Sequence, residues 1–474
     1  MPPWRRGTSK ERRTQLENST TRARRGLDLD QLRQDVESGA IDTVIVAITD
    51  MQGRLVGKKI QADFFMEEIV PHGTEGCNYL LAADVDMNTV SGYAMSSWER
   101  GYGDFMMIPD MSTLRYVPWQ EKTAMLLADV QWEGGSDVAA SPRQILRRQV
   151  RALADQGLEA MVGTELEFIV FMNSYEDAWR SGYREMTPAN LYNVDYSLLG
   201  VSRIEDLLRE IRNSMAGAAM RPESVKGECN FGQHEIAFRY DAALRTCDNH
   251  VIYKLGAKEI AAKHGKSLTF MAKYNEREGN SCHTHLSVRS LDGKAVMAEG
   301  GSSSEFSELG RQFVAGIKAH MAELTLMFAP NINSYKRFVE GSFAPTAIEW
   351  GRDNRTCALR VIGHGPSLRV ENRAPGGDAN PYLVVSAMIA AGLDGIKRGL
   401  ELGPPFEGNA YRADTARLPS SLERSLALWR NSPFVAEAFG EEVQEHYSNM
   451  AKVEIDAFAA AVTDWERFRS FERM

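Results

Sequence analysis

The chain reads as a two-domain α+β protein, a small strand-rich N-terminal domain followed by a larger domain of mixed strands and helices. Three observations predict this. Its 474 residues exceed what one simple core accommodates. Period-two apolar alternation recurs along the chain, with amphipathic helical stretches between the strands. A Glu133-Gly134-Gly135 stretch interrupts the pattern, and a helix-start signal follows it.

The elements follow in order. Residues 1–26 are rich in Arg and Lys and poor in apolar side chains, so a disordered basic tail is expected. No apolar run follows this positive start, which excludes a secretory signal. Domain 27–133 should open with a helix over Asp30–Glu37, stopped by Gly39. The β-branched run Thr43–Ile48, the break Asp50-Met51-Gln52-Gly53 and the segment Arg54–Gly57 spell a hairpin. Further strands are expected at Leu114–Val117 and Thr123–Val130.

Domain 134–474 should open on Ser141-Pro142-Arg143-Gln144, an N-cap, a first-turn proline and a capping glutamine. That helix should run to Asp155 and end at Gly157, before a strand over Glu159–Phe171. Strands and helices then alternate, with helices near Asp248–His264 and Glu308–Phe328 and a helical C-terminal segment around Asp464-Trp465-Glu466-Arg467.

Composition narrows the function. A net charge of −9 argues against a nucleic-acid binder, which needs a basic face. Five scattered cysteines point to reduced thiols. No stretch reaches the roughly 18 to 20 apolar residues that span a bilayer, so no membrane partner is expected and the location is read as cytoplasmic.

The chemistry lies in strands whose charged residues are spaced two apart, since side chains at i and i+2 share one face. Glu165 and Glu167 point one way, while Leu166 and Phe168 point to a core. His283, His285 and Ser287 share a face, as do Arg369, Glu371 and Arg373. Glu228 and Glu235 flank Gly232, and a bend is needed to align them. These are either solvent-facing sides of an amphipathic sheet or a convergent acid cluster. Two like charges about 4 Å apart cost roughly 4 kcal/mol at an effective dielectric of 20, so a convergent cluster needs protons or divalent cations. Oxygen ligands with one imidazole suit Mg²⁺ or Mn²⁺. Arg337, Arg355 and Arg360 add forks for carboxylates and phosphates. No Gly-x-x-x-x-Gly-Lys-Ser/Thr loop is present, so a nucleotide would bind some other way.

These residues sit in motifs that resemble the glutamine synthetase family over nearly the whole chain. The matching pieces include Gly103-Asp104-Phe105, Pro109-Asp110-Met111-Ser112-Thr113, Gly163 to Phe168 and Gly232-Gln233-His234-Glu235. Asn280 to Ser287, Asn333-Ser334-Tyr335-Lys336-Arg337, Asp353-Asn354-Arg355, Glu371-Asn372-Arg373 and Asn380-Pro381-Tyr382 follow in family order. The resemblance implies a β-grasp-like N-terminal domain and a catalytic domain with a curved antiparallel sheet flanked by helices. It implies one cation at Glu167, Glu228 and Glu235 and a second at Glu165, His283 and Glu371. Glutamate would contact Glu167, Gly279, His283, Arg337 and Arg373. ATP would contact Glu223, His285, Ser287, Arg355 and Arg360, with Arg337 and Arg355 catalytic. Double-ring dodecamers with active sites shared between subunits are the implied assembly.

Two departures bear on the acceptor. The flap that carries a glutamate in ammonia-using members reads Glu340-Gly341-Ser342-Phe343 here, and a phenyl ring cannot act as a base. The ammonium loop is replaced by Leu81 to Asn88, with Asp86 (or Asp84) as the candidate amine contact. The branch resembled is that of γ-glutamyl–polyamine and γ-glutamyl–ethanolamide synthetases. It implies an ATP-dependent γ-glutamyl ligase using an organic amine, with a glutamate–ammonia ligase or a non-catalytic assembly as alternatives. Tyr411 falls near the position adenylylated in some bacterial members and is expected to be a surface tyrosine. His320 is expected to be a packed side chain.

Overall fold

Asp28 opens the structured chain, its carboxylate accepting the Gln31 backbone N–H at 2.8 Å to start helix α1 (Leu29–Glu37). The computed structural model describes residues 26–474, so the expected basic tail lies outside the described residues apart from Gly26. Gly39, at φ 71°, ends the helix turn and sends the chain into β1 (Thr43–Thr49) and β2 (Leu55–Gln61). The hairpin forms as expected because the Asp50 carboxylate accepts the N–H of Gln52 at 3.0 Å and of Arg54 at 2.8 Å. With β3 (Thr74–Cys77), β4 (Asp104–Tyr116) and β5 (Thr123–Gln131) it builds a five-stranded sheet ordered β2-β1-β5-β4-β3, in which only β1 and β5 run parallel. Strand β4 is far longer than the expected Leu114–Val117. Pro109 and a register shift between Asp110 and Arg115 break its alternation and hide it from a pattern reading. Residues 62–72 are helical with a π turn, which the sequence pattern did not disclose.

Helix α2 (Pro142–Asp155) has the expected limits but not the expected cap. The Ser141 side chain makes no capping bond, and the Gln144 amide is buried without a partner. This first turn is held instead by Arg143, whose guanidinium reaches Asp129 and Asp248. Helix α3 (Ala243–Lys263) starts ahead of the expected Asp248. The expected Glu308–Phe328 helix breaks into α4 (Glu308–His320) and a short turn of helix, Thr325–Phe328, where the Thr325 hydroxyl donates to the Met321 carbonyl at 2.8 Å. Helix α5 (Pro381–Arg398) packs against α2 and α4.

The second sheet has nine strands, ordered β12-β13-β14-β11-β6-β8-β7, with β12 (Trp350–Arg352) at one edge and with β9 (Asp241–Ala242) and β10 (Ser267–Thr269) also pairing β6. Its central members are β6 (Leu158–Phe171), β8 (Gln233–Phe238), β11 (Cys282–Ser290) and β14 (Arg369–Asn372), all mutually antiparallel where they pair. Strand β7 spans Pro222–Gly227, and β13, which spans Leu359–Ile362, borders β14. One apolar core joins the sheets, from Val44 and Leu126 to Phe168, Leu286 and Val370. Those inward residues alternate with the charged ones, so burying one face commits the other to a common surface. No helix among the described residues is long and apolar enough to cross a membrane.

Candidate active site

Strand register assembles the acid cluster. Glu165 lies opposite His283, Glu167 opposite Glu235, and His285 opposite Glu371, so four neighbouring strands place their charged residues on one face. The bend needed to bring in Glu228 is a β7–β8 turn, where Gly232 sits at φ 71° and a Cβ would come within 2.6 Å of the Val170 carbonyl oxygen. Glu228 closes that turn by donating its N–H to Gln233 O at 2.9 Å.

Two ligand-like triads result. Carboxylate oxygens of Glu167, Glu228 and Glu235 lie within 4.8 Å of one another, and so do ligand atoms of Glu165, His285 and Glu371. Histidine placement differs from the family pattern, which names His283. His283 Nδ1 stands 3.6 Å from both Glu165 Oε2 and Glu371 Oε1, and its Nε2 is buried without a hydrogen bond. His285 Nε2 is nearer, 3.1 Å from Glu165 Oε1, but out of line for a hydrogen bond. Arg369 Nε donates to His285 Nδ1 at 3.2 Å, which leaves the proton of a neutral ring on Nε2. The free imidazole nitrogens of His283 therefore make it the better donor to a cation.

The electrostatics match a site built for cations. Burial raises the Glu235 carboxyl well above the usual range, and the charges of Glu165, Glu167 and Glu371 add to the rise. Burial opposes ionisation of Glu165 as well, but the imidazoles of His283 and His285 outweigh it and hold that carboxyl low. The Lys226 ammonium pairs with Glu228 and lies 3.7 Å from Glu235, where a bound cation would sit. Glu167 is held from behind by Gln233 Nε2 at 3.0 Å and Ser281 N at 2.8 Å.

Arginines line the other side. Arg373 Nη1 donates to Glu371 at 2.5 Å and Arg360 Nη1 at 2.9 Å. Buried Arg337 donates to the carbonyls of Arg373, Ala374 and Pro375, and burial lowers its pKa to about 10. The Nε–H groups of Arg337 and Arg373 are buried without partners. Unsatisfied buried donors beside a cavity fit an anionic ligand. Arg355, Gly279 and these groups surround one cavity of about 320 Å³. Glu223, His285 and Ser287 line a second cavity of about 400 Å³, which meets the first at Glu165. Two adjoining cavities, one flanked by acids and arginines, suit a substrate that spans both.

The catalytic-domain profile of glutamine synthetases matches residues 139–470. The chain belongs to the glutamine synthetase family. It is 63% identical over 448 residues to gamma-glutamylethanolamide synthetase GlnA4 of Streptomyces coelicolor, covering 94% of this chain and 96% of that one. It is 38% identical over 444 residues to the glutamate–isopropylamine ligase of a Pseudomonas species, covering 93% and 97%. Its fold is similar to the solved GmaS/ADP complex, with a TM-score of 0.81 at 27% identity over 93% of this chain and 99% of that one. Members of this family use ATP and divalent metals and are oligomeric.

The structure overturns one sequence expectation, at Tyr411, and adds detail at two others, Asp86 and His320. Asp86 does not line either cavity. It is exposed in a turn held by Asp84, which accepts the Asn88 N–H at 2.7 Å. Tyr411 is not a surface tyrosine, because it is 9% exposed and its hydroxyl donates to Ala344 O at 3.0 Å. His320 is packed, but also bonded: Nε2 meets Asp394 at 2.7 Å, Nδ1 meets Glu323, and the ring stacks on Phe434. Phe343 does face the cavity, at φ 58°, with its carbonyl accepting Arg373 Nη2 at 3.2 Å. That bond accounts for a conformation bulky residues avoid. Sequence reasoning missed Lys226, Gln233, Asp195 and Tyr196. Gln233 was visible inside the Gly232-to-Glu235 motif, whereas a loop such as 193–197 carries no periodic signal.

Proposed function

We propose that this member of the family is an ATP-dependent ligase that joins the γ-carboxylate of glutamate to an organic amine, with ethanolamine as acceptor. The observation that carries the reading is the pair of acid triads meeting on β6 beside an arginine-lined cavity. Support for the acceptor comes from the two relatives above, whose names specify an ethanolamide and isopropylamine, and from an uncharged Phe343 on the cavity wall. It is a ligase forming a carbon–nitrogen bond.

Glu167, Glu228 and Glu235 would hold one divalent cation, and Glu165, Glu371 and His283 the second, with all-oxygen and imidazole donors suited to Mg²⁺ or Mn²⁺. When bound, such ions supply charge neutralisation and Lewis acidity to phosphate and carboxylate. ATP would lie with its nucleoside toward Glu223, His285 and Ser287 and its phosphates toward Arg355 and Arg360. A γ-carboxylate oxygen of glutamate attacks the terminal phosphorus, releasing ADP and leaving an acyl phosphate. Arg337 and Arg373 carry the unpaired Nε–H groups that would grip this intermediate, with Gly279 and Glu167 on the same wall. The amine nitrogen then bonds to the acyl carbon as the bond to phosphate breaks. The same reading divides the chain at residue 133, places it in the cytoplasm and assembles it as a dodecamer of two hexameric rings. In that assembly exposed Asp86 would serve a neighbouring subunit's site.

Phosphate release from ATP should require glutamate, a divalent ion and an amine, measured with ammonia, ethanolamine, putrescine and spermine in turn. Ethanolamine should give the highest kcat/KM. Full turnover with ammonia alone would overturn the acceptor assignment.

A further inference from the structure

Buried Arg337 enters the larger cavity from a short 3₁₀ turn (Ile332–Arg337), a kind of helix with poor internal hydrogen-bond geometry. Its stem crosses Gly279, where a Cβ would come within 2.9 Å of Arg337 Cγ. Its Nη2 reaches the carbonyls of Arg373, Ala374 and Pro375. Those contacts fix the tip. An arginine side chain has much rotamer freedom to lose, so a fixed pose also needs a fixed root.

Asp378 holds that root. Its Oδ2 accepts the Ser334 hydroxyl at 2.6 Å and the Asn331 side-chain N–H at 2.9 Å. Asn331 caps the turn, Ser334 lies inside it, and Ser334 Oγ accepts the Asn331 backbone N–H at 3.0 Å. A charged acceptor makes such bonds shorter and stronger than neutral ones. Asp378 itself belongs to a turn, 375–379, tied to the strands and helices around it. Cys282 N donates to Pro375 O and Gly377 N to Asn280 O, each at 2.9 Å, and Lys254 of α3 donates to Gly377 O at 2.8 Å. The next residue, Asn380, donates to the Asp50 and Met51 carbonyls of the β1–β2 hairpin.

The second carboxylate oxygen shows a role beyond anchoring. Asp378 Oδ1 is buried without a hydrogen-bond partner, and so is Arg337 Nε. A Cβ on Gly376 would stand 2.7 Å from that oxygen and 3.6 Å from that nitrogen, so both crowd the same glycine. Burial disfavours the charge on Arg337, and the carboxylates of Glu167 and Asp378 oppose that effect. Asp378 thus steadies the guanidinium without consuming its Nε–H. An unmade bond at a buried carboxylate oxygen costs stability, and here it leaves a donor free for a ligand.

We propose that Asp378 is a positioning residue of the ligase, which fixes through Asn331 and Ser334 the turn from which Arg337 meets the glutamyl substrate. This rests on the γ-glutamyl ligase reading. Asp378 does not line the cavity, so it acts through Arg337 and not by touching the substrate. Two accepted hydrogen bonds are what the role requires, and an amide oxygen can accept them as well.

The test uses the full-length enzyme and its Asp378→Ala, Asp378→Asn and Ser334→Ala variants. Each is assayed with Mg²⁺ and the amine that gives the highest turnover, with glutamate and ATP varied in turn. Asp378→Ala should raise the KM for glutamate by about tenfold or more and leave the KM for ATP within about twofold. Asp378→Asn should recover most of that loss. Ser334→Ala, which removes one of the two bonds, should raise the glutamate KM by about three- to tenfold. A purely structural role would lower the melting temperature and leave the KM of the folded enzyme unchanged. An unchanged glutamate KM in Asp378→Ala, or equal rises for glutamate and ATP, overturns the assignment while leaving the ligase intact. Asp378→Asn as impaired as Asp378→Ala overturns it too, because charge would then be the operative property. If Asp378→Ala does not fold, Ser334→Ala decides, and no rise in its glutamate KM overturns the proposal. Failure of the unaltered enzyme to release phosphate with glutamate and any amine overturns the ligase reading, and the role of Asp378 with it.

Discussion

Two regions of this molecule gather carboxylates, and they neutralise them in opposite ways. Between the five-stranded sheet and helices α2, α3 and α5, Asp110, Asp129 and Asp248 converge on Arg143, whose side chain is 3% exposed. Its guanidinium takes both Asp248 oxygens at 2.9 Å, Asp129 at 2.7 Å and Asp110 at 2.7 Å, Arg147 adds a second cation, and Tyr382 donates to Asp248. Nothing is left over for a ligand. On the face of the large sheet, Glu167, Glu228 and Glu235 converge with Lys226 alone among them. The first cluster carries its own counter-ions and joins β4, β5, α2, α3 and α5. The second withholds them, and its residual charge is what a divalent ion can use. Acidic residues close in space thus mean structure or function according to whether the chain itself supplies the opposite charge.

The distinction predicts effects of opposite sign. Glu235→Gln should lower kcat by about a thousandfold, the equivalent of several kcal/mol of lost charge stabilisation. The metal-free protein should melt no lower than the unaltered one, since the metal-free site already favours the neutral form of that buried carboxyl. Arg143→Met should do the reverse and cost about 3–5 kcal/mol in urea unfolding, because buried Asp248 and half-buried Asp110 and Asp129 lose a shared partner. Similar stability losses in both variants would erase the contrast.

Smaller effects sharpen it. Lys226→Met should tighten Mn²⁺ binding at one of two sites by up to about tenfold, as seen by calorimetry, by removing a competing ammonium. Asp110 supplies a pH test. Burial opposes its charge, but Ser112 and Arg143 outweigh burial and hold its folded pKa below 3.8. A lowered folded pKa stabilises above the unfolded value, and the benefit is lost as pH falls through the folded value. Acid unfolding below about pH 4 should therefore begin at higher pH in Asp110→Asn than in the unaltered protein. Tyr411→Phe, which removes one neutral hydrogen bond beside the flap, should cost only about 1 kcal/mol.

Much of the site was legible because strand geometry is local. Spacing of two puts Glu165 with Glu167, and His283 with His285, whatever the rest of the chain does. Helix ends at Glu37 and Asp155 were equally local, each followed two residues on by a glycine at positive φ, Gly39 and Gly157. Strand β4 was not, because its bulge interrupts the pattern. The break after His320 was not legible either, and there the ring is bonded to side chains three residues and one helix away, Glu323 and Asp394.

By itself, then, the sequence determined which residues share a face, which motifs they compose and hence the family. Only the tertiary structure decided which faces meet. Strand order across β14-β11-β6-β8 depends on pairings between residues many tens of positions apart, which no local period encodes. The same holds for Asp195 and Tyr196. Their conformation follows from Val194 packing against Gly227 across the chain, and that contact sets the loop on the cavity wall.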